Sequence, residues 1–264
     1  MAQKIYSLYN DVELLDEQLA VEIGEDYMVL VTGRAGKVSA LEYFETDESA
    51  MHEALAAVEA ASALMHKTFS ETSCFLNLPE KVLVPAGQFN TTVAAELLDL
   101  SFGSRPGASV IMENVNVSPG IVNVYRTEAD WQELISKRFR AVTRRHLHSR
   151  LAEQALQYDD YLGVTFYRSG FNIIAVSNRQ LKLVRGFKSV TDADVLFDIS
   201  NTCRQLDIVM ADKTLHISGI IDTGSGLYRM INWYFKDVEP QIAGAADQGE
   251  HPAHYFTPFF NLLS

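Results

Sequence analysis

The hydrophobic pattern of the chain switches between two periods. Residues 19–23 and 27–31 are short apolar runs parted by the turn Gly24-Glu25-Asp26, and residues 37–45 alternate apolar and polar after a turn from Gly33 to Gly36. Three strands joined by short turns predict an antiparallel meander. From 47 to 66 the period becomes helical, with Met51, Leu55, Val58 and Leu64 on one face and Asp47, or Thr46 with Ser49, as cap. Strand-like runs over 74–78 and 81–85 precede a helix over 91–98 opened by Asn90. Residues 109–117 and 121–125 predict a pair of strands around Ser118-Pro119-Gly120.

The same order returns at 161. Strands are predicted over 161–167, 171–177 and 180–187, a helix over 192–206 capped by Thr191, a strand over 214–221 and a helix over 226–235. A β-β-β-α-β-α unit occurring twice predicts an α/β chain of two similar halves, with mixed sheets and flanking helices. The expected boundaries are a first half over 1–126, a mostly helical connection over 127–158 and a second half over 159–264.

Composition narrows the picture. With 264 residues, 47% hydrophobic and 21% charged, each half can bury a core. The net charge of -12 argues against non-specific binding to DNA or anionic membrane, since both are polyanions. Cys74 and Cys203 belong to no CxxC pair and sit in apolar company, so both read as small core residues. Residues 1–10 lack the charged stretch and apolar run of a signal peptide, and no segment approaches the roughly 20 apolar residues of a membrane helix. A cytoplasmic protein is the expectation.

The run Val82-Leu83-Val84-Pro85-Ala86-Gly87-Gln88-Phe89-Asn90 resembles the strand-to-helix junction of the actin-like heat-shock chaperones. The doubled strand order resembles their superfamily, the actin-like ATPases with ribonuclease H-like halves, which includes actin, sugar kinases and bacterial cell-division and pilus-assembly proteins. The layout and the ending His254-Tyr255-Phe256-Thr257-Pro258-Phe259-Phe260-Asn261-Leu262 are similar to an uncharacterised Bacteroidetes family of that fold.

This resemblance implies two phosphate hairpins, each with an acid at the end of its first strand to hold a metal ion and its waters, and turn amides that grip phosphate. Carried onto this chain, Glu22 is the first acid and Gly24 the turn glycine, with Glu25 and Asp26 adding negative charge to the turn. The second hairpin has no carboxylate: Thr165 or Tyr167 stands where the acid belongs, followed by Arg168, Ser169 and Gly170. The turn that faces the nucleoside maps to Gly219, Gly224, Ser225 and Gly226, although a plain strand-turn-helix connection asks for the same glycines and capping serine. ATP and magnesium are the implied cofactors, and the residues themselves suggest no resident metal site. With one acid of two, the scheme for placing metal and water is incomplete. The expectation is a catalytically degenerate nucleotide-binding or partner-binding scaffold whose partner is another protein. The alternative is an active Mg-ATP-dependent ATPase or small-molecule kinase, with Glu22 and Asp222 organising magnesium.

Two further features carry chemistry. Lys137, Arg138, Arg140, Arg144, Arg145 and Arg150, with His146 and His148, form a run without an acid. It reads as a solvated helix face that neutralises the acidic first half, or as a surface for RNA or an acidic partner; the lack of interleaved aromatics favours the first. His146 and His148, two apart with only Glu153 nearby, do not share a helix face and fall short of a metal set. The apolar ending from Tyr255 to Leu263 folds back as a final core strand or docks onto another protein. Residues 240–253 form the loop before it.

Overall fold

In a computed structural model, residues 2–10, 16–34, 37–46, 50–139, 142–189, 191–243 and 251–263 are described. Gly36, the caps Asp47 and Ser49, Arg140, and the loop positions Gly244, Asp247 and Gly249 lie outside the described residues. Strand β1 (Ala2–Tyr9) comes first, ahead of the earliest predicted strand. The meander then follows as β2 (Gln18–Ile23), β3 (Tyr27–Arg34) and β4 (Lys37–Thr46), all antiparallel, with β1 added on the outer edge of β4. Helix α1 (Met51–Ala61) carries the chain across to β5 (Glu71–Leu76), which runs parallel to β2. A parallel neighbour needs such a crossover, which a tight turn cannot supply.

An excursion follows. Strand β6 (Lys81–Pro85), helix α2 (Ala94–Phe102), β7 (Ser109–Val115) and β8 (Ile121–Thr127) make a separate antiparallel sheet of order β6-β8-β7. Asn90 does cap, but it caps a single turn over Thr91–Val93 through the Thr92 amide, and α2 starts after it. Helix α3 (Trp131–Arg138) then leads to β9 (Val142–His146), which lies parallel to β5, and on to α4 (Leu147–Ala155). The segment 127–158 thus contains a strand of the first sheet between two helices.

The second set is β10 (Tyr161–Phe166), β11 (Gly170–Ser177), β12 (Gln180–Lys188), α5 (Asp192–Gln205), β13 (Thr214–Gly219), α6 (Gly226–Tyr234) and β14 (Asp237–Pro240). Asn178 and Arg179 join β11 to β12 with φ of 52° and 58°, the left-handed pair that a two-residue hairpin turn requires. Thr191 opens α5 with a reciprocal capping box to Asp194. The sheet orders are β1-β4-β3-β2-β5-β9 and β12-β11-β10-β13-β14. Without β1 they are one topology: three antiparallel neighbours, then two parallel ones.

The chain divides into two compact units, Met1–Glu153 with Leu262–Ser264, and Gln154–Asn261. Within the first, Val21, Ile23, Met28, Leu30 and Phe44 bury one sheet face against Met51, Leu55 and Val58 of α1 and Ile135 of α3. Within the second, Val164, Phe166, Ile173 and Ile217 pack on Val195, Ile199 and Cys203 of α5 and Ile231 of α6. Each such side chain contributes roughly 1.5–3 kcal/mol through burial. Both cysteines are buried and unbridged, and burial pushes the Cys74 thiol up to about 12 and that of Cys203 to about 11.

The apolar ending folds back, but as helical turns. Residues Ala253–Tyr255 form a single turn, Thr257–Phe260 the short helix α7, and Asn261–Leu263 another turn, burying Phe256, Phe259, Phe260, Leu262 and Leu263. Pro258 lies in the first turn of α7 and has no amide to give a sheet, which rules out the expected core strand. Among the described residues, no helix is long and apolar enough to cross a membrane.

Candidate functional site

The two hairpins align by register. The last pair of the first is Ile23–Met28, closed by the Gly24 amide on the Tyr27 carbonyl at 3.0 Å. The last pair of the second is Phe166–Phe171, closed by the Tyr167 amide on the Gly170 carbonyl at 2.8 Å. Glu22 therefore corresponds to Thr165, Gly24 to Tyr167, and Tyr27 to Gly170. The aromatic and glycine positions are exchanged between the hairpins.

Glu22 faces inward from β2 and is fully buried. Its Oε1 accepts the Tyr27 hydroxyl at 2.5 Å, and that phenol oxygen in turn accepts the Asn77 amide at 2.7 Å. Gly24 is a glycine because of the same tyrosine: a Cβ there would stand 2.0 Å from a carbon of the Tyr27 ring. The ring covers the turn that the resemblance assigns to phosphate, while Glu25 and Asp26 remain exposed at its tip. Tyr27 and Asn77 went unnoticed in the sequence. Their one available signal was an aromatic three residues beyond a turn glycine.

In the second hairpin Thr165 Oγ1 and Ser218 Oγ lie 3.1 Å apart across the parallel pair β10–β13. Asn172 is the register partner of Thr165 on β11, so the level of the sheet that holds Glu22 in the first unit holds Asn172, Thr165 and Ser218 in the second. Thr165 and Ser218 bond to each other, and none of the three supplies a carboxylate. Arg168 and Ser169 are exposed at the tip, and a Cβ on Gly170 would meet the Phe187 carbonyl oxygen at 2.2 Å.

Gly219 ends β13 beside this hairpin. Its φ is +82°, and an added Cβ would lie 2.0 Å from the Phe166 carbonyl oxygen, to which the Ile220 amide donates at 2.9 Å. Gly219→Ala is therefore expected to lower the unfolding free energy by about 2 kcal/mol or more, read by urea denaturation. A cost near zero would contradict the strain assigned here.

The loop that follows is closed on itself. Asp222 Oδ1 accepts the Gly224 amide at 2.7 Å, Ser225 Oγ accepts the Tyr228 amide at 3.1 Å as the α6 cap, and Arg229 holds the Gly224 carbonyl at 2.6 Å. The amide of Gly224 and that of Ser225, which donates to the Asp222 carbonyl at 3.0 Å, are thus already engaged within the loop, and Asp222 serves the turn. Gly226 opens the helix, with Asp192 Oδ2 at 3.8 Å from where its Cβ would be. The structure brings Thr165, Ser169, Gly170 and Gly219 to one end of the second sheet, while Glu22 and Gly24 belong to the first unit.

The basic run resolves into separate ion pairs within the first unit. Lys137 pairs with Glu133, Arg138 with Glu59, and Arg144 donates to Ser136 and the Gln132 carbonyl. Arg145 bonds to two acids: Nε donates to Glu113 at 2.9 Å, and Nη1 and Nη2 to the two oxygens of Glu153 at 2.9 and 2.6 Å. The expected solvated helix face is corrected accordingly. Residues 142–146 are a strand whose Arg145 is paired with acids and whose Arg144 is bonded to Ser136 and the Gln132 carbonyl, so the cations of the strand do not form a phosphate-tracking stripe. His146 and His148 are buried, and among the described residues no group of three or more His, Cys, Asp or Glu is placed to hold a metal ion.

Against known proteins, a family model described as "Protein of unknown function (DUF3822)" matches residues 10–238. No curated protein matches the chain. A solved protein of Bacteroides thetaiotaomicron, described as having an actin-like ATPase fold and unknown function, superposes with a TM-score of 0.72 at 12% identity, covering 85% of this chain and 90% of that one. The PilM-PilN type IV pilus biogenesis complex contributes a second match, with a TM-score of 0.60 at 13% identity over 93% of this chain and 97% of that one. The fold is that of the actin-like ATPases, as the doubled strand order implied.

Proposed function

The chain belongs to the DUF3822 family of proteins of unknown function, and from that premise we propose that it is a non-catalytic member of the actin-like fold that works as a binding module for another protein. The observation that carries this reading is Glu22, the one hairpin acid, which is fully buried and bonded to the Tyr27 phenol at 2.5 Å. The donor set does not fit a magnesium-nucleotide complex. Such a site asks for carboxylates and waters around the cation, and neither hairpin taken by itself offers them: in the first the strand-end carboxylate is shared with a phenol, and in the second Thr165 and Ser218 bond to each other. The amides of Gly224 and Tyr228 are likewise engaged by Asp222 and Ser225. Partner binding agrees with the PilM match, a similar fold held in complex with a second protein.

The test is thermal unfolding with Mg-ATP, joined to a phosphate-release assay on the wild type and Glu22→Gln. Ligand that binds only the folded state raises its stability by mass action. The expected result is no magnesium-dependent rise in Tm at millimolar ATP and no release above buffer. Magnesium-dependent release that Glu22→Gln abolishes would establish the ATPase or kinase reading instead. A Tm rise without release would keep the non-catalytic reading and assign the module a nucleotide.

A further inference from the structure

Helices α5 and α6 pack on the second sheet side by side. Each carries the chain from the end of one strand back to the start of another that runs the same way, so the two helices share a direction. Asp192 of α5 stands beside Gly226 at the start of α6. Val195, Ile199 and Ile231 face the sheet. On the opposite sides of their helices, by the helical period, lie Phe197 and Arg204 of α5 and Arg229 and Trp233 of α6. Trp233 is 86% exposed and Phe197 66%. Counted from the shared end, the two rings stand about 10 and 7 Å along their helices, nearly at one level. Tyr228 bonds to the Val238 carbonyl on β14, which turns Met230 and Tyr234, on the other flank of α6, toward α5. Both are exposed as well.

A single surface ring is ordinary, but four large apolar side chains on one outward face are not. Tryptophan, tyrosine and arginine are also the residues that most often anchor protein interfaces. Among the described residues neither arginine pairs with an acid: Arg204 donates to Asn201 Oδ1 at 2.7 Å and Arg229 to the Gly224 carbonyl at 2.6 Å. The α5 acids are turned elsewhere. Asp194 closes the capping box on Thr191, and Asp198 lies on the β12 side, beside the charge of Arg185. In a chain of net charge -12, such a face rejects a copy of itself: two-fold pairing would bring four guanidiniums together, and the two chains repel. An acidic partner meets neither penalty.

Given the binding role proposed above, we infer that this face docks an acidic amphipathic helix of another protein, its apolar side seated on Phe197, Met230, Trp233 and Tyr234 and its flanking carboxylates paired with Arg204 and Arg229. Two helices side by side offer a third helix ridges and grooves at the usual spacing of about 8–10 Å. An extended strand needs an open row of sheet amides, which a helical face lacks.

The experiment is titration of the full chain with two labelled synthetic helical peptides, read by fluorescence anisotropy and by NMR amide-shift mapping. Both carry leucines at helical spacing on one face, and their flanks carry glutamate in one and lysine in the other. The glutamate peptide is expected to bind at micromolar concentration, at least tenfold more tightly than the lysine peptide, and to shift amides of α5 and α6. Trp233→Ser is expected to weaken it tenfold or more with Tm unchanged, since the ring supports no fold contact. The double variant Arg204→Glu/Arg229→Glu is expected to reverse the preference toward the lysine peptide, with circular dichroism and Tm reporting that the fold is intact. No binding by either peptide, equal affinity for both, shifts that map outside α5 and α6, or a preference that survives the charge reversal would each overturn the face. A concentration-dependent dimer in sedimentation that Trp233→Ser dissolves would overturn it too, by assigning the face to a second copy. None of these readouts involves the hairpins, and magnesium-dependent phosphate release would overturn the non-catalytic reading without moving peptide binding, so the two fail separately.

Discussion

Replacing Arg145 by methionine is expected to lower the unfolding free energy by about 3–5 kcal/mol, because it strands two carboxylates that the fold has already taken out of water. The side chains of Glu113 and Glu153 are only 13% and 12% exposed, and Arg145 bonds to both. Their other partners are the backbone amides of His146 on Glu113 at 2.7 Å and of Asn116 on Glu153 at 2.9 Å, with the Ser149 side chain also on Glu113. The network thereby joins β7, β9 and α4, and losing its cation loosens all three. Burial already holds the Glu113 carboxyl above its usual range, against the pull of the His146 amide and Arg145. Without Arg145 it rises further, so the penalty should shrink in acid as Glu113 takes up a proton. The control is Arg179→Met, whose pair with Asp159 is 77% and 69% exposed and is expected to leave stability almost unchanged. Urea denaturation of both variants, with the double variant Glu113→Gln/Arg145→Met, decides the matter. Equal costs for Arg145 and Arg179, or a double variant whose loss is the sum of its parts, would show that the buried network adds nothing to a surface pair.

The same residue explains much of what could and could not be read in the sequence. Strand β9 is Val-Thr-Arg-Arg-His, and its polarity hides the period of a strand, because the apolar rule presumes that a buried face is apolar. Here Arg145 and His146 point to opposite faces of the sheet, and each is satisfied by a specific partner instead of by packing. Strand β1 was missed for a related reason: Lys4 lies beside Glu42, and the pairing that makes the segment a strand comes from β4, far along the chain. By contrast, the meanders, α5 with its Thr191 cap and the repeated crossover were legible, since short turns, a capping box and periodic apolar residues are local signals.

The hairpin residues show the same division. Glu22, Thr165 and the glycines could be placed by their strand positions alone. What Glu22 does could not, because Tyr27 and Asn77 reach it from a neighbouring strand and a loop 50 residues away from the tyrosine. The exchange of glycine and tyrosine between the hairpins follows from register, which becomes visible only once the sheets are paired. The two halves thus repeat as a backbone and differ in the groups that stand at the same level of each sheet.

Acidification from near neutrality to about pH 4 is expected to remove on the order of 3 kcal/mol of stability through His146 alone. His146 is fully buried at the end of β9, with Nε2 3.1 Å from the Leu78 carbonyl and Nδ1 3.0 Å from the His148 amide. The amide can only donate, so Nδ1 is the bare nitrogen and Nε2 carries the proton to Leu78. Charging the ring would set a proton on Nδ1 against the His148 N–H. Burial first, and the Lys81 ammonium second, bring its pKa down to about 3. The unfolded chain protonates this residue near 6.5. Between those values the unfolded state binds the extra proton, so the contribution is complete above about pH 6.5 and is lost as pH falls toward 3. Glu153 and Glu42, held below the usual carboxylate range, act in the same direction at lower pH, whereas the raised Glu113 opposes them. His146→Gln keeps a donor for Leu78 without a titrating ring. Its stability, measured by urea denaturation across the upper part of that window, should be nearly flat where the wild type falls by up to about 1.4 kcal/mol per pH unit. Parallel curves for the two proteins, or a His146 ring resonance that titrates near 6.5, would mean that the imidazole is not held neutral by the fold.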